Sequence, residues 1–290
     1  MRATVDLVLF GLLACDMALF GAAINHGHRP ATPATTPVTA GVGPPVADPA
    51  APTRAPDMWF VAVGTDGVVV RASRRACHQG TGSTPVRVSD DSGSTFHEST
   101  PEGLGSVSDL RFDSPQRLLL VGRDDRCRAA RWTSADGGTT WQRQPRPVSS
   151  WHLVPEADSP SVATAAGTRE APCAPIALSS PGLSQAQILC RGGEIFGTED
   201  SARTWQDLGT LQGAVGISFT STGAALALAP QADCPSALVQ TIDGGSHWSR
   251  VRCLPGQQPR AVGRSGELVV ALTDSHLYVS NDGGVTWLRR

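Results

Sequence analysis

The hydrophobic residues after position 57 fall into short runs separated by glycine, serine and aspartate. Runs such as 117–121, 224–229 and 268–272 are mostly apolar, and their length and composition predict buried strands. A second short run follows each of them and leads into an acidic turn. The residue four positions before the aspartate of that turn is Trp132, Phe196, Val239 or Tyr278. Runs joined in this way are typical of hairpins, so the chain is predicted to be all-β.

The acidic turn is an octet that occurs five times. Its first position is Ser or Thr, its third is Asp, its fifth is usually Gly, its seventh is Thr (His in the fourth copy) and its eighth is aromatic. The five copies begin at Ser89, Ser134, Thr198, Thr241 and Ser280. An Asp side chain accepts hydrogen bonds from backbone N–H groups ahead of it and so holds a tight turn. Glycine supplies the positive φ that such a turn needs. The third copy has Ala202 at the glycine position, which predicts either a different turn type or slight strain.

The spacing of the octets indicates the architecture. Their aspartates are 45, 64, 43 and 39 residues apart, close to the ~40–50 residues of one four-stranded propeller blade. Five octets predict a β-propeller of five blades, each of four antiparallel strands, with six blades as the alternative. The surplus residues of the long interval, 150–172, are predicted to form a surface loop rather than part of a sixth blade. The run 59–63 is expected to close the ring by pairing with the final blade.

The octet resembles the Asp-box, or bacterial neuraminidase repeat, and residues 57–290 resemble the propellers of the sialidase superfamily and of photosystem II assembly factors. The resemblance implies that the octets are fold elements on the outer rim of the blades and not an active site. The residues assigned this structural role are Asp91, Asp136, Asp200, Asp243 and Asp282, with the aromatic residues Phe96, Trp141, Trp205, Trp248 and Trp287.

The N-terminal segment predicts export. Residues 5–24 are apolar apart from Asp6 and Asp16, a length that suits a membrane span. Residues 1–25 are therefore interpreted as a transmembrane signal-anchor helix or a cleaved signal peptide, with lipidation at Cys15 as a third possibility. Residues 26–56 are rich in Pro, Ala and Thr and predict a disordered stalk. Each reading places residues 57–290 on the extracytoplasmic face of the cell membrane or outside the cell.

Composition and cysteine usage agree with that location. All 24 basic residues are arginine, a bias typical of high-GC bacteria such as actinobacteria, and the net charge of −2 argues against nucleic-acid binding. Six cysteines follow the apolar segment, and an even number suits an oxidising compartment. Of the 15 possible pairings, their positions relative to the octets favour Cys77 with Cys127, Cys173 with Cys190, and Cys234 with Cys253.

The sequence contains few candidate catalytic residues. Sialidase-like hydrolysis uses a Tyr nucleophile and arginines that bind a carboxylate, but the only tyrosine, Tyr278, occupies a repeat position typical of packing. The second blade is rich in arginine, which we interpret as a solvated rim of mixed charge rather than a site for an anionic ligand. No cofactor and no metal site are expected, and Asp124 and Asp125 provide too few oxygen ligands for a hard cation.

The sequence therefore favours a non-catalytic, membrane-tethered or secreted propeller that binds a protein partner or a cell-envelope glycan. A sialidase-like glycoside hydrolase and an assembly factor for an extracytoplasmic complex are the alternatives. Long loops on rigid scaffolds often carry binding residues. The candidate binding loop is therefore the segment 150–172, with Trp151, His152, Glu156 and Asp158.

Overall fold

The computed structural model describes residues 59–73, 77, 84–144, 150–154 and 159–290, all within one compact unit, Arg54–Arg290. The predicted N-terminal helix and stalk lie outside these residues. None of the described residues belongs to a helix long and apolar enough to cross a membrane. They form 23 strands in six antiparallel sheets, and each sheet follows the order of the chain.

The first three blades occupy the N-terminal half of the propeller. Blade 1 contains β1 (Trp59–Val63), β2 (Val69–Ser73), β3 (Val86–Ser89) and β4 (His97–Glu98). Blade 2 contains β5 (Leu104–Ser114), β6 (Arg117–Asp124), β7 (Ala129–Ser134) and β8 (Gln142–Arg143). Blade 3 contains three strands, β9 (His152–Val154), β10 (Ser161–Thr164) and β11 (Gly167–Glu170).

The last three blades have four strands each. Blade 4 contains β12 (Pro175–Ser179), β13 (Ala186–Cys190), β14 (Glu194–Thr198) and β15 (Gln206–Thr210). Blade 5 contains β16 (Gly216–Phe219), β17 (Ala225–Gln231), β18 (Cys234–Thr241) and β19 (Ser249–Cys253). Blade 6 contains β20 (Pro259–Ser265), β21 (Leu268–Thr273), β22 (Leu277–Ser280) and β23 (Leu288–Arg289).

The prediction of five blades is wrong, because the segment 150–172 forms blade 3 and not a surface loop. Two of its prolines do not interrupt strands: Pro160 immediately precedes β10 and Pro172 follows β11. A proline at the start of a strand is compatible with the sheet, since it removes no ladder hydrogen bond from the interior. Blade 3 carries no octet, so the repeat could not reveal it.

The predicted mode of closure is also wrong. The strand β1 pairs with β2 inside blade 1, and blade 6 completes its own four strands with β23. The innermost strands β1, β5, β9, β12, β16 and β20 each contact the next, and β20 contacts β1. The ring therefore closes by packing between blades 6 and 1 and not by a shared strand.

The octets form the turns between the third and fourth strands of five blades. In blade 2 the hydroxyl of Ser134 donates to Asp136 Oδ1 at 2.7 Å, and the N–H of Gly138 donates to the same hydroxyl oxygen at 2.7 Å. The Asp136 carboxylate accepts the N–H and the hydroxyl of Thr140, at 2.9 and 2.6 Å. The other four octets repeat this arrangement, except that in blade 5 Nδ1 of His247 takes the place of the Thr hydroxyl.

The third octet keeps the same hydrogen bonds although Ala202 replaces glycine. Ala202 has a φ of +61°, and the preceding Ser201 also has a φ of +61°. The corresponding glycine of blade 6, Gly284, has a φ of +102°. The turn has therefore moved into the left-handed region that a residue with a Cβ can occupy, at the cost of some strain.

The octets pack each blade against the one before it. A Cβ at Gly138 would lie 3.0 Å from Val88 of blade 1, and a Cβ at Gly93 would lie 2.9 Å from Leu277 of blade 6. The indole N–H of Trp141 donates to the carbonyl of Ser99 in blade 1 at 2.9 Å. The octets therefore form part of the walls between blades, where interblade clefts open.

Hydrogen bonding lowers the pKa of the octet carboxyl groups. The N–H of Thr95, with the hydroxyls of Ser89 and Thr95, lowers the pKa of Asp91 to about 2. The N–H of Thr204 is the main cause of the same shift, again to about 2, in the pKa of Asp200. Because the pKa is depressed in the folded state, these carboxylates stabilise the fold above the unfolded pKa of about 4, and protonation removes that contribution as the pH falls towards about 2.

We therefore expect the urea midpoint of unfolding to fall between about pH 4 and about pH 2. The Asp200→Asn variant should start from a lower midpoint and lose less of it over this interval, since one titrating group is gone. The measurement is urea unfolding followed by tryptophan fluorescence across the pH range. A wild-type midpoint that stays constant over this interval would contradict the assignment.

The three favoured disulfides are present. Cys77 and Cys127 join the β2–β3 connection of blade 1 to the β6–β7 turn of blade 2, with a Cα separation of 5.7 Å. Cys173 and Cys190 connect the segment before β12 to the end of β13, at 5.8 Å. Cys234 and Cys253 link β18 to β19 within blade 5, at 5.7 Å.

Candidate functional site

The predicted binding loop is not an exposed loop. Trp151 is 5% exposed, and its indole N–H donates to the carbonyl of Leu183 at 3.0 Å. His152 begins β9 and is fully buried. Glu156 and Asp158 lie outside the described residues. Trp151 and His152 therefore pack between blades and are not available to a ligand.

His152 belongs to a buried polar cluster between blades 2 and 3. Its Nδ1 lies 2.8 Å from the carbonyl of Ser150, and its Nε2 accepts the Nε–H of Arg131 at 3.3 Å. These contacts fit the neutral tautomer with the proton on Nδ1. Burial lowers the pKa of His152, although the nearby Asp109 opposes this effect.

The cluster continues along β5 of blade 2. Asp109 Oδ2 accepts the N–H of Leu153 at 3.0 Å. The Arg111 guanidinium donates to the carbonyl of Trp151 at 2.5 Å and to the carbonyl of Leu178 in blade 4 at 3.4 Å. Burial lowers the pKa of Arg111, and the charge of Asp109 works against that shift. These side chains join the inner strands of blades 2, 3 and 4, so they support the fold.

Three further arginines of blade 2 form ion pairs. Arg128 and Arg143 bind the buried carboxylate of Asp124, at 3.0 and 2.8 Å. Arg117 forms a bidentate ion pair with Asp113, with a shortest distance of 2.6 Å. These ion pairs match the charges of Arg117, Arg128 and Arg143 within blade 2.

Tyr278 is engaged in the core. Its side chain is buried, its hydroxyl donates to the carbonyl of Pro255 at 2.9 Å, and burial raises the pKa of that hydroxyl. A phenol that is buried, bonded and harder to ionise is poorly placed as a nucleophile. This agrees with the packing role that the repeat position indicated.

A cleft between blades 6 and 1 has a different character. It has a volume of about 440 Å³, and we name it the closure cleft because it lies where the ring closes. Blade 1 contributes Trp59 from β1, Arg71 from β2, and Ser94 and Phe96 from its octet. Blade 6 contributes Arg260, the β21–β22 turn that includes Asp274 and His276, and Arg290.

Arg71 is the most unusual residue of the closure cleft. Its guanidinium carbon lies 4.2 Å from the centroid of the Phe96 ring, a cation–π distance. Its Nε is buried and has no hydrogen-bond acceptor among the described residues. Arg87 lies directly opposite on β3. Burial, and then the positive charge of Arg87, lowers the pKa of Arg71.

The opposite wall of the closure cleft carries a second unpartnered nitrogen. Nδ1 of His276 is buried and makes no hydrogen bond within the described part of the chain. The neighbouring carboxylate of Asp274 accepts the N–H groups of Gln257 and Gln258, at 3.0 and 3.4 Å. The walls of the cleft thus contain two buried nitrogens without a partner among the described residues, while one oxygen of the Asp274 carboxylate is already bonded.

The other cavities formed by the described residues offer less. The space between the inner strands, around Asp109, Ile176 and Val262, has a volume of only about 70 Å³ and is lined mostly by apolar side chains. A cleft of about 320 Å³ beside the octet of blade 4 contains the buried, unpartnered Oε1 of Gln187 and the carboxylates of Glu199 and Asp200. Unlike these two cavities, the closure cleft combines aromatic side chains with several cations.

Comparisons with known proteins find likeness at the level of structure. No family profile matches the sequence, and no curated protein matches it. Among solved structures, a GH74 xyloglucanase from Xanthomonas campestris aligns over 80% of this chain and 38% of its own, with 18% identity and a TM-score of 0.35. A GH74 enzyme from Niastella koreensis aligns over 79% of this chain and 47% of its own, with 13% identity and a TM-score of 0.34.

A third structure, YCF48 from Cyanidioschyzon merolae, aligns over 82% of this chain and 87% of its own, with 16% identity and a TM-score of 0.33. The chain spans less than half the length of the two GH74 enzymes. Likenesses this weak assign no activity to the chain. Its six-bladed fold rests on the strand pairing described above.

Proposed function

We propose that this chain is an exported, non-catalytic Asp-box propeller that binds a cell-envelope glycan in the closure cleft. The observation that supports the proposal is that two aromatic side chains, Trp59 and Phe96, line the same cleft of about 440 Å³ as Arg71 and His276. A binding site typically combines apolar or aromatic walls with a few polar groups that fix the orientation of the ligand. A sugar ring matches both, because it has apolar C–H faces and hydroxyl groups at its edge.

Export is supported by the disulfides. Three disulfides in one domain are typical of an oxidising compartment. The apolar segment 5–24 would hold the chain at the membrane, and the Pro-rich segment 26–56 would separate the propeller from the bilayer. A propeller tethered in this way would meet envelope polymers on the extracytoplasmic side.

A bulky side chain at position 94 tests the closure cleft. Ser94 is exposed and lines the cleft. The corresponding octet position holds Arg203 in blade 4 and Val285 in blade 6, so the turn accepts larger residues. We expect Ser94→Trp to weaken binding of the full-length protein to purified envelope polysaccharide by at least about tenfold, because the indole fills the cleft.

The matched control is Ser246→Trp, which places the same side chain in the octet of blade 5, away from the closure cleft. Its binding isotherm should remain that of the wild-type chain. If Ser94→Trp and Ser246→Trp bind the polysaccharide equally well, the closure cleft is not the binding site. Retention only by protein-containing envelope fractions would favour the assembly-factor alternative, and release of new reducing ends from the polysaccharide would favour a hydrolase.

A further inference from the structure

We infer that the ligand of the closure cleft carries an anionic group, a carboxylate or a phosphate, and that Arg71 binds it. This inference rests on the proposed function, because it names the chemical class of ligand that the same cleft accepts. It follows from the charges and contacts of the described residues around Arg71.

The first step is that Arg71 has no counter-ion among the described residues. Four exposed arginines of the propeller have a carboxylate partner: Arg117 has Asp113, Arg128 and Arg143 share Asp124, and Arg250 has Asp233. The half-buried Arg111 and Arg131 have hydrogen-bond partners instead, two carbonyls and the ring of His152. Among the described residues no carboxylate pairs with Arg71. It faces the aromatic ring of Phe96 on one side and the charge of Arg87 across the ladder.

The second step is energetic. A charge that leaves water loses favourable solvation, and proteins usually compensate with an opposite charge or with hydrogen bonds. Arg71 is half-buried and its Nε makes no hydrogen bond to the described residues. Like charges directly opposite each other on a sheet add a further cost. An anion in the closure cleft would supply the missing compensation.

The third step is geometric. Because the guanidinium lies over the face of Phe96, its orientation is restricted. A planar fork held in this way matches the two oxygens of a carboxylate or of a phosphate. His276 lines the opposite wall.

The fourth step concerns the surroundings. Arg71 and Arg290 line the closure cleft, and among its described lining residues only Asp274 has a side-chain carboxylate. One oxygen of that carboxylate accepts the N–H groups of Gln257 and Gln258. The cationic side chains of Arg71 and Arg290 favour a negative ligand.

The experiment measures binding of three probes to the full-length protein in nonionic detergent by calorimetry. The probes are a galacturonic acid trimer, a glycerol phosphate oligomer and a neutral galactose trimer. We expect at least one acidic probe to bind about tenfold more tightly than the neutral one, because a charged hydrogen bond is worth a factor of that size. Its affinity should fall as the ionic strength rises. The acidic probe that binds identifies the carboxylate or the phosphate as the source.

The variant Arg71→Met keeps the aliphatic stem against Phe96 and removes the charge. We expect it to lose at least about tenfold in affinity for the acidic probe without a fall in melting temperature, because no internal ion pair is broken. The control Arg191→Gln removes an equal charge from the exposed β13–β14 turn of blade 4 and should bind as the wild type does.

The inference and the proposed function fail in different ways. If the neutral probe binds as well as the acidic ones and Arg71→Met does not change the affinity, the inference of an anionic ligand is wrong. The proposal that the closure cleft binds a glycan is then retained. If neither acidic probe binds, the inference is overturned. A lower melting temperature in Arg71→Met together with unchanged affinity would show that Arg71 serves the fold.

Discussion

Replacing Asp124 with alanine is expected to lower the free energy of unfolding by about 3 kcal/mol. The carboxylate is fully buried and accepts the N–H groups of Arg126 and Arg128, at 3.0 and 2.9 Å. It also forms ion pairs with the side chains of Arg128 and Arg143. Its loss leaves two backbone donors without an acceptor in the turn that carries Cys127.

The matched control is the neighbouring Asp125→Ala. Asp125 is exposed, so its replacement should change the urea midpoint far less. Although burial acts to raise the pKa of Asp124, the hydrogen bonds from Arg128 and Arg143 hold it well below its usual range. The stabilisation is therefore present above the unfolded pKa of about 4 and is lost as the pH falls below it. Equal midpoints for the two alanine variants at neutral pH would contradict the assignment.

The sequence predicts those parts of the fold whose cause is local. The octets contain the whole hydrogen-bonding set of their turn, so Asp136 and Thr140 reveal a hairpin without reference to any other blade. The disulfides could also be inferred, because the cysteines keep defined positions relative to the octets. Cys234 and Cys253, for example, lie on either side of one such turn.

Blade 3 could not be predicted in the same way because its stability comes from other blades. Its strand β9 has only three residues, and its neighbours hold it through side chains: Asp109 accepts the N–H of Leu153, and Arg131 bonds to His152. The short runs 151–154 and 160–163 have strand character, but the prolines of the segment suggest a loop. The two candidate residues Trp151 and His152 were therefore placed on the surface, although they are buried.

The closure cleft was missed for a related reason. Arg71 lies on the second strand of the chain and His276 near its end, so only closure of the ring brings them to one cavity. The informative signal in the sequence is an arginine in the apolar strand 69–73 with another arginine in the strand that follows. That pattern indicates an unpaired charge only when the register places Arg71 opposite Arg87.

The second large loss of stability is expected from a change in the buried polar cluster between blades 2 and 3. Arg111→Met is expected to lower the free energy of unfolding by about 3–5 kcal/mol. The variant removes donors from the carbonyls of Trp151 and Leu178 and leaves the buried Asp109 without the cation beside it. Because these contacts join blades 2, 3 and 4, we expect loss of stability for the whole ring.

A double-mutant cycle that combines Arg111→Met with Asp109→Leu measures how much the two charges stabilise each other, separately from the loss of packing. The double variant should be less destabilised than the sum of the two single changes, because neither charge is then left buried alone. The exposed pair of Arg250 and Asp233 provides the control, since breaking such a pair changes stability little. Strict additivity in urea unfolding at Asp109 and Arg111 would show that the two charges do not depend on each other, and that backbone hydrogen bonds alone hold blade 3 in the ring.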